Sequence, residues 1–217
     1  MRSKLLVSAL AAAALAVACG AKQSNDDGVA DASDASTAIT YEASAPTGTC
    51  DAVVQQHAIE GRTHIPVCSY APYDTKPPSS GNHYPIWAAY KTYTAPIPEG
   101  FFVHNLEHGT IVLTYNCPNG CAADVTAAQA MLDALPDDPT CVALGEGVRR
   151  RSLMTPDPNL DVPFAASAWG WTLRANCFDT TTFQAFALAH YNQGPEDLCN
   201  DGEDVSSGLA AGCGDDP

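Results

Sequence analysis

Basic residues are scarce in this chain: ten Lys and Arg stand against 25 Asp and Glu, for a formal net charge of −15. A surface so poor in cations has little with which to neutralise phosphates, which argues against nucleic acid as a partner. The imbalance is uneven. Residues 20–49 carry five acids and residues 196–217 seven, so residues 50–195 hold 13 acids against seven basic side chains, an ordinary solubility charge. A glycine-rich phosphate loop, a serine in a nucleophile-elbow setting and an internal repeat are all missing. Their absence removes the common nucleotide-binding, serine-hydrolase and solenoid readings. The apolar run Leu5–Val17 is too short to span a bilayer.

That run follows Arg2 and Lys4 and leads into Ala16-Val17-Ala18-Cys19. Charged start, short apolar stretch and small residues before a cysteine form the pattern of a bacterial secretion signal with a lipobox. The expectation is a signal peptide over 1–18, a lipid on Cys19 and a membrane partner reached through that anchor; an ordinary signal peptide with Cys19 unmodified is the alternative. Gly20 after the cysteine, in the sorting habit of enteric bacteria, favours the outer membrane or cell surface, facing periplasm or exterior. Removing Cys19 from the nine cysteines leaves eight: Cys50, Cys68, Cys117, Cys121, Cys141, Cys177, Cys199 and Cys213. An even count in an exported chain reads as four disulfides. Connectivity is not deducible, and pairing of neighbours (50–68, 117–121, 141–177, 199–213) is the working expectation. Cys117-Pro-Asn-Gly-Cys121 has three intervening residues, one too many for a thioredoxin-like or zinc-knuckle pair.

Residues 19–49 are nearly devoid of large apolar side chains and predict a flexible acidic tether, because such a stretch buries too little surface to offset its ordering entropy. Residues 50–195 are long enough for one globular domain, with 196–217 as an acidic, disulfide-stapled tail. Ile111–Tyr115, β-branched and apolar, predicts a buried strand. Val125, Ala128, Met131, Leu132 and Leu135 recur at helical spacing before Pro136. Residues 148–155 and 164–175 read as strands, the second carrying Trp169 and Trp171 on one face. A final helix starts at Asp179 and runs to about Asn192, with Phe183, Phe186, Ala187, His190 and Tyr191 as its apolar face. Without regular βαβ alternation the fold class is α+β: one compact domain, a mixed or antiparallel sheet, two main helices, disulfide staples. Arg149-Arg150-Arg151 predicts a solvated strand in preference to a phosphate site.

Chemistry concentrates in the histidines, four of which fall between residues 64 and 108. In Val103-His104-Asn105-Leu106-Glu107-His108-Gly109 the two imidazoles at i and i+4 share one side of a helical turn. Gly109 and a strand follow at once, so about one turn of helix is expected there. Lys76-Pro77-Pro78-Ser79-Ser80-Gly81-Asn82-His83 predicts a stiff loop in which Gly81 takes a positive φ, and Gly61-Arg62-Thr63-His64 offers a third turn.

The order Pro77-Pro78-x-Ser80-Gly81-x-His83, then Val103-His104-Asn105-Leu106-Glu107-His108-Gly109, closely resembles the bacterial family catalogued as domain of unknown function 3105. The likeness continues through Pro156-Asp157-Pro158, the Ala168-Trp169-Gly170 strand and the Phe178-Asp179 helix, covering roughly residues 57–195. What the resemblance implies is an exported or membrane-anchored protein with no assigned activity; the extra cysteines and the acidic tail depart from the usual form.

Four readings of the histidines compete. His64, His83, His104 and His108, with Glu107 as ligand or supporting carboxylate, form a site for copper or zinc used in binding, delivery or sequestration. His104-x-x-Glu107-His108 matches the inverzincin string of a metal-assisted hydrolase. The rings instead cross-link loops as a scaffold without ligand. Or Tyr84, Trp87 and Tyr90 line a metal-free pocket. The first reading is preferred, with no protein partner identifiable. His190 reads as a core histidine, His57 has no motif around it, and Asn200-Asp201-Gly202-Glu203-Asp204 reads as a solvated acidic turn, since it lacks calcium-loop spacing.

Overall fold

The computed structural model describes residues 38–45, 48–145, 147–206 and Cys213; the signal and lipobox expectations fall outside the described residues. Ten elements follow one another: β1 (Ala38–Ala45), β2 (Gly48–Gln56), α1 (Glu99–Glu107), β3 (Ile111–Tyr115), α2 (Ala122–Asp133), α3 (Pro139–Leu144), β4 (Ser152–Pro156), β5 (Phe164–Ala168), β6 (Trp171–Ala175) and α4 (Thr180–His190). The strands form a mixed sheet in the order β1-β2-β6-β5-β3-β4. Every pairing is antiparallel except β3 with β4. That parallel step needs a long crossover, and α2 and α3 supply it.

The period-two alternation of the strands sends side chains into two cores. Ile111, Leu113, Met154, Phe164, Ala166 and Leu173 pack under α2 and α4, with Ala128, Met131, Leu132, Phe183 and Phe186. Val112 and Leu153 on the opposite face meet α1 through Phe101, Phe102 and Leu106. The sheet therefore lies between a helical pair and a layer made of α1 and the long 57–98 segment. Burying each large apolar side chain of this kind is worth about 1.5–3 kcal/mol. α4 starts where expected, with Asp179 accepting from the Thr182 amide at 2.8 Å.

Several expectations are corrected. The stretch read as tether contributes β1 and the first residues of β2, since β1 lies along β2 from Ala38↔Gln55 to Ala45↔Gly48; a backbone ladder needs little apolar side-chain surface. The 164–175 strand is a hairpin: Trp169 and Gly170 form a two-residue turn, with Gly170 at φ 73°, between paired Ala168 and Trp171. Neighbour pairing of cysteines holds only for Cys117–Cys121; the other bridges are Cys50–Cys177, Cys68–Cys213 and Cys141–Cys199. Spatial proximity decides bridging, not loop length. The β2–β6 register, Ala52↔Ala175, continued two residues outward sets Cys50 opposite Cys177, with Cα atoms 5.4 Å apart. The tail keeps the expected staples at Cys199 and Cys213, but their partners are Cys141 and Cys68, and Glu203 also bridges to Ala88. Arg151 is not solvated but wholly buried, while Arg149 and Arg150 pair with Asp137 at the surface.

Candidate metal centre

Three chain segments meet beside the C-terminal end of α1. The 61–65 and 81–83 segments run together, Ile65 N–H donating to His83 O at 2.8 Å and His83 N–H to Thr63 O at 3.1 Å. This isolated parallel bridge between His64 and His83 brings two imidazoles, 19 residues apart in sequence, to one side. Gly81 takes the expected positive φ, 127°, and a Cβ there would meet the Tyr73 ring at 2.8 Å.

α1 is nine residues long, not one turn. The apolar stretch Phe101-Phe102-Val103 extends it upstream, and burial from Gly100 to Glu107 on all sides leaves no polar face to give a periodic signal. Asn105 fixes its rotation: its Oδ1 accepts from Ala88 N–H at 2.9 Å and its Nδ2 donates to Ala88 O at 2.8 Å. His104 and Glu107 then project toward the two loops, and His108 caps the helix.

The rings of His64, His83 and His104 are mutual neighbours, with centroids 4.7–5.0 Å apart. One ligand atom from each of these and from Glu107 falls within a 4.8 Å span. Bonds of about 2.0 Å in a tetrahedral site require separations of about 3.3 Å, so small side-chain rotations suffice. His83, His104 and Glu107 are buried and His64 is exposed, which gives the group one open side. His83 Nδ1 donates to Gly81 O at 2.8 Å and His104 Nδ1 to Tyr84 O at 2.6 Å. A carbonyl only accepts, so these bonds place a proton on Nδ1 and leave Nε2 as the ligand nitrogen of the neutral ring. Burial, aided by the His108 ring, pushes the His104 imidazolium down to about 3 against the opposing Tyr84 bond. Burial likewise pushes His108 down to about 4, with Glu107 opposing. Both are neutral, metal-competent donors at pH 7.

His83 Nε2 lies 3.0 Å from Glu107 Oε2, an ion pair only if the ring is protonated; with the proton on Nδ1 both atoms are acceptors, and no hydrogen bond joins them. His108 is fully buried, and neither ring nitrogen has a hydrogen-bond partner. Its ring sits 4.6 Å from His104 and 4.7 Å from Trp87, outside the four-residue ligand group. Glu107 Oε1 accepts from Arg62 Nε at 2.9 Å.

Sequence reasoning missed Arg62, Glu196 and Arg151. Arg62 stands two residues before His64, a spacing that shares a side in extended chain. Segment 192–198 crosses the end of α1: Asn192 N–H donates to Gly109 O at 2.9 Å and Glu196 N–H to Glu107 O at 3.0 Å. A Cβ on Gly194 would lie 2.2 Å from Glu107 O, so only glycine allows this crossing. Arg151 pins the segment from below, pairing with Asp138, Asn192 and Asp197 and donating to His108 O.

The remaining candidates lie elsewhere. Tyr84, Trp87 and Tyr90 do not share a pocket: the Tyr84 ring packs on Phe101 in the core, Trp87 covers His104 and His108, and Tyr90 packs on Cys141, Val148 and Cys199. Residues three apart on an irregular loop diverge, so closeness in sequence did not make a wall. His57 bonds Thr172 Oγ1 at 2.7 Å, and His190 stacks on Trp171 with ring centroids 4.4 Å apart. Asp138, Cys141 and Cys199 also cluster, but both sulfurs are held in a disulfide. Of two open clefts, the one of about 560 Å³ is lined by Tyr90 with Lys91, Arg149, Asp201 and Asp204, without Tyr84 or Trp87, and the one of about 500 Å³ by residues such as Tyr70 and Pro156. Asp201, Glu203 and Asp204 have exposed side chains, while the backbone of this turn is pinned to Trp87 and Ala89.

The model of the family described as Protein of unknown function (DUF3105) aligns with residues 64–202. The match begins at His64 and includes all five sequence-selected site residues. It also runs seven residues past 195, so the first part of the acidic tail lies inside it. No curated protein and no solved structure matches the chain.

Proposed function

The chain belongs to that family, whose description assigns no activity, and we propose that its histidine cluster binds one divalent transition-metal ion through His64, His83, His104 and Glu107. The observation that carries this reading is the buried His83 Nε2, which has no hydrogen-bond partner although its Nδ1 is satisfied. A scaffold histidine would have both nitrogens paired, because an unmet buried polar atom costs about 1–3 kcal/mol. Three imidazoles and a carboxylate, without thiolate, suit Cu(II) or Zn(II). When bound, such an ion supplies Lewis acidity or, for copper, redox chemistry.

The inverzincin reading fits less well. There both histidines of the string are ligands and the glutamate is a free base. Here His108 stands outside the ligand group and Glu107 is engaged by Arg62 and faces His83. Binding, delivery or sequestration is the role we assign, in an exported protein anchored through Cys19.

Metal analysis and calorimetry on untagged protein test this. One equivalent of Zn(II) or Cu(II) is expected, weakened at least about tenfold in His64→Ala, whose exposed side chain is removable without unfolding, and abolished in His83→Ala/His104→Ala. Folded wild type that takes up no stoichiometric ion overturns the reading.

A further inference from the structure

Two carboxylates meet one guanidinium in the same manner. Glu107 turns Oε1 to Arg62 Nε at 2.9 Å and Oε2 to His83 Nε2 at 3.0 Å. Glu196 turns Oε1 to Arg62 Nη2 at 3.2 Å and Oε2 to His108 Nε2 at 3.5 Å. The last contact is an ion pair only if His108 is protonated, and it is not a hydrogen bond: both His108 nitrogens stay unpartnered in a ring that is 0% exposed. A fully buried imidazole aimed at a carboxylate, with nothing satisfying it, is a ligand set short of its cation.

We propose that the Arg62 guanidinium holds the place of a second divalent cation, ligated by Glu107, Glu196 and His108, with Glu107 bridging it to the ion assigned above. The proposal rests on that first assignment. Arg62 fits the part of a stand-in. Its charge cannot be lost by deprotonation, so a cation can take its place only if the side chain leaves bodily. At 51% exposure it has open solvent to leave into. The two oxygens of Glu107 face different partners, Oε1 toward Arg62 and Oε2 toward His83, as those of a carboxylate shared by two cations would. Segment 192–198, crossing at Gly194 and held by Arg151 and the Cys141–Cys199 bridge, delivers Glu196 to this position. The acidic tail is thereby part of the centre. Arg62 also sets a threshold, because the second ion must outcompete two charge-assisted hydrogen bonds.

Zn(II) titration of wild type, Arg62→Gln and Glu196→Gln, followed by calorimetry and metal analysis, decides the matter. Wild type takes one tight and one weaker equivalent. Arg62→Gln tightens the second by about tenfold or more, and Glu196→Gln, changed at a half-exposed side chain, loses the second alone. Loaded with Cu(II), Arg62→Gln gives the half-field electron-spin signal of a coupled ion pair, and Glu196→Gln does not. A single equivalent in both wild type and Arg62→Gln overturns the second position and leaves the first standing. Two equivalents retained in Glu196→Gln overturn the assignment of its ligands. No ion in any variant removes both.

Discussion

Acidification of the metal-free protein should destabilise it as soon as the pH falls below the ordinary imidazole range. His104 and His108 are 3% and 0% exposed, and their pKa values fall from the ordinary 6.5 to about 3 and about 4. Between those values and 6.5 the unfolded chain binds protons that the folded chain refuses. Stability therefore rises with pH through this window, is complete above 6.5, and is lost as pH falls toward 4. At pH 5 the difference is worth about 2 kcal/mol for one ring. The two shifts share the repulsion between the rings, so the pair together contributes between about 2 and 4 kcal/mol. His57 and His190, lowered chiefly by burial, add with the same sign. Asp204, held low by its hydrogen bond from Lys91, titrates further down and leaves this window undisturbed. Urea unfolding of chelator-treated, disulfide-intact protein at pH 7.5, 6 and 5 is the assay. The midpoint at pH 5 is expected about 1–2 M below that at pH 7.5. Saturating Zn(II) should raise stability at pH 7.5 and steepen the fall, because protons and metal compete for the same nitrogens. A midpoint that stays level or rises between pH 7.5 and 5 refutes the argument, since rings already protonated in the folded state give no such slope.

Two further outcomes are expected. Arg151→Met strands the buried Asp138 carboxylate and should cost about 3–5 kcal/mol in urea unfolding; the Arg151→Met/Asp138→Asn double variant should lose less than the sum of the single changes, and a single-variant loss under about 1 kcal/mol would contradict a buried ion pair. Cys19→Ala should release the protein from the membrane fraction on cell fractionation; a variant that sediments with membranes as wild type does would sink the lipid-anchor assignment.

Local physics was legible in the chain itself. Ile111–Tyr115 became β3 because five β-branched or apolar residues in a row suit a strand buried on both faces. Asp179 became a helix cap because a short carboxylate before three threonines can reach a free amide. Gly81 took its positive φ, and the sequence singled out His64, His83, His104, His108 and Glu107, four of which gather with His108 left outside, because imidazoles and carboxylates in short motifs are rarely mere surface. β1 was not legible, since a strand held by backbone pairing leaves a weak compositional trace. The full length of α1 was hidden because burial on every side erases the period that marks a helix.

What the sequence determined by itself, then, is whatever depends on neighbours along the chain: strand and helix propensity, caps, turns, and the short motifs that carry the histidines. Tertiary structure alone decided which cysteines bridge, that Arg151 lies buried under segment 192–198, that His108 packs on His104 yet falls outside the four-residue group, and that Arg62 and Glu196 lie beside it. These depend on which distant segments pack side by side. That is fixed by sheet register and by the fit of α1 between the sheet and the long loops, and neither leaves a local mark in the order of the residues.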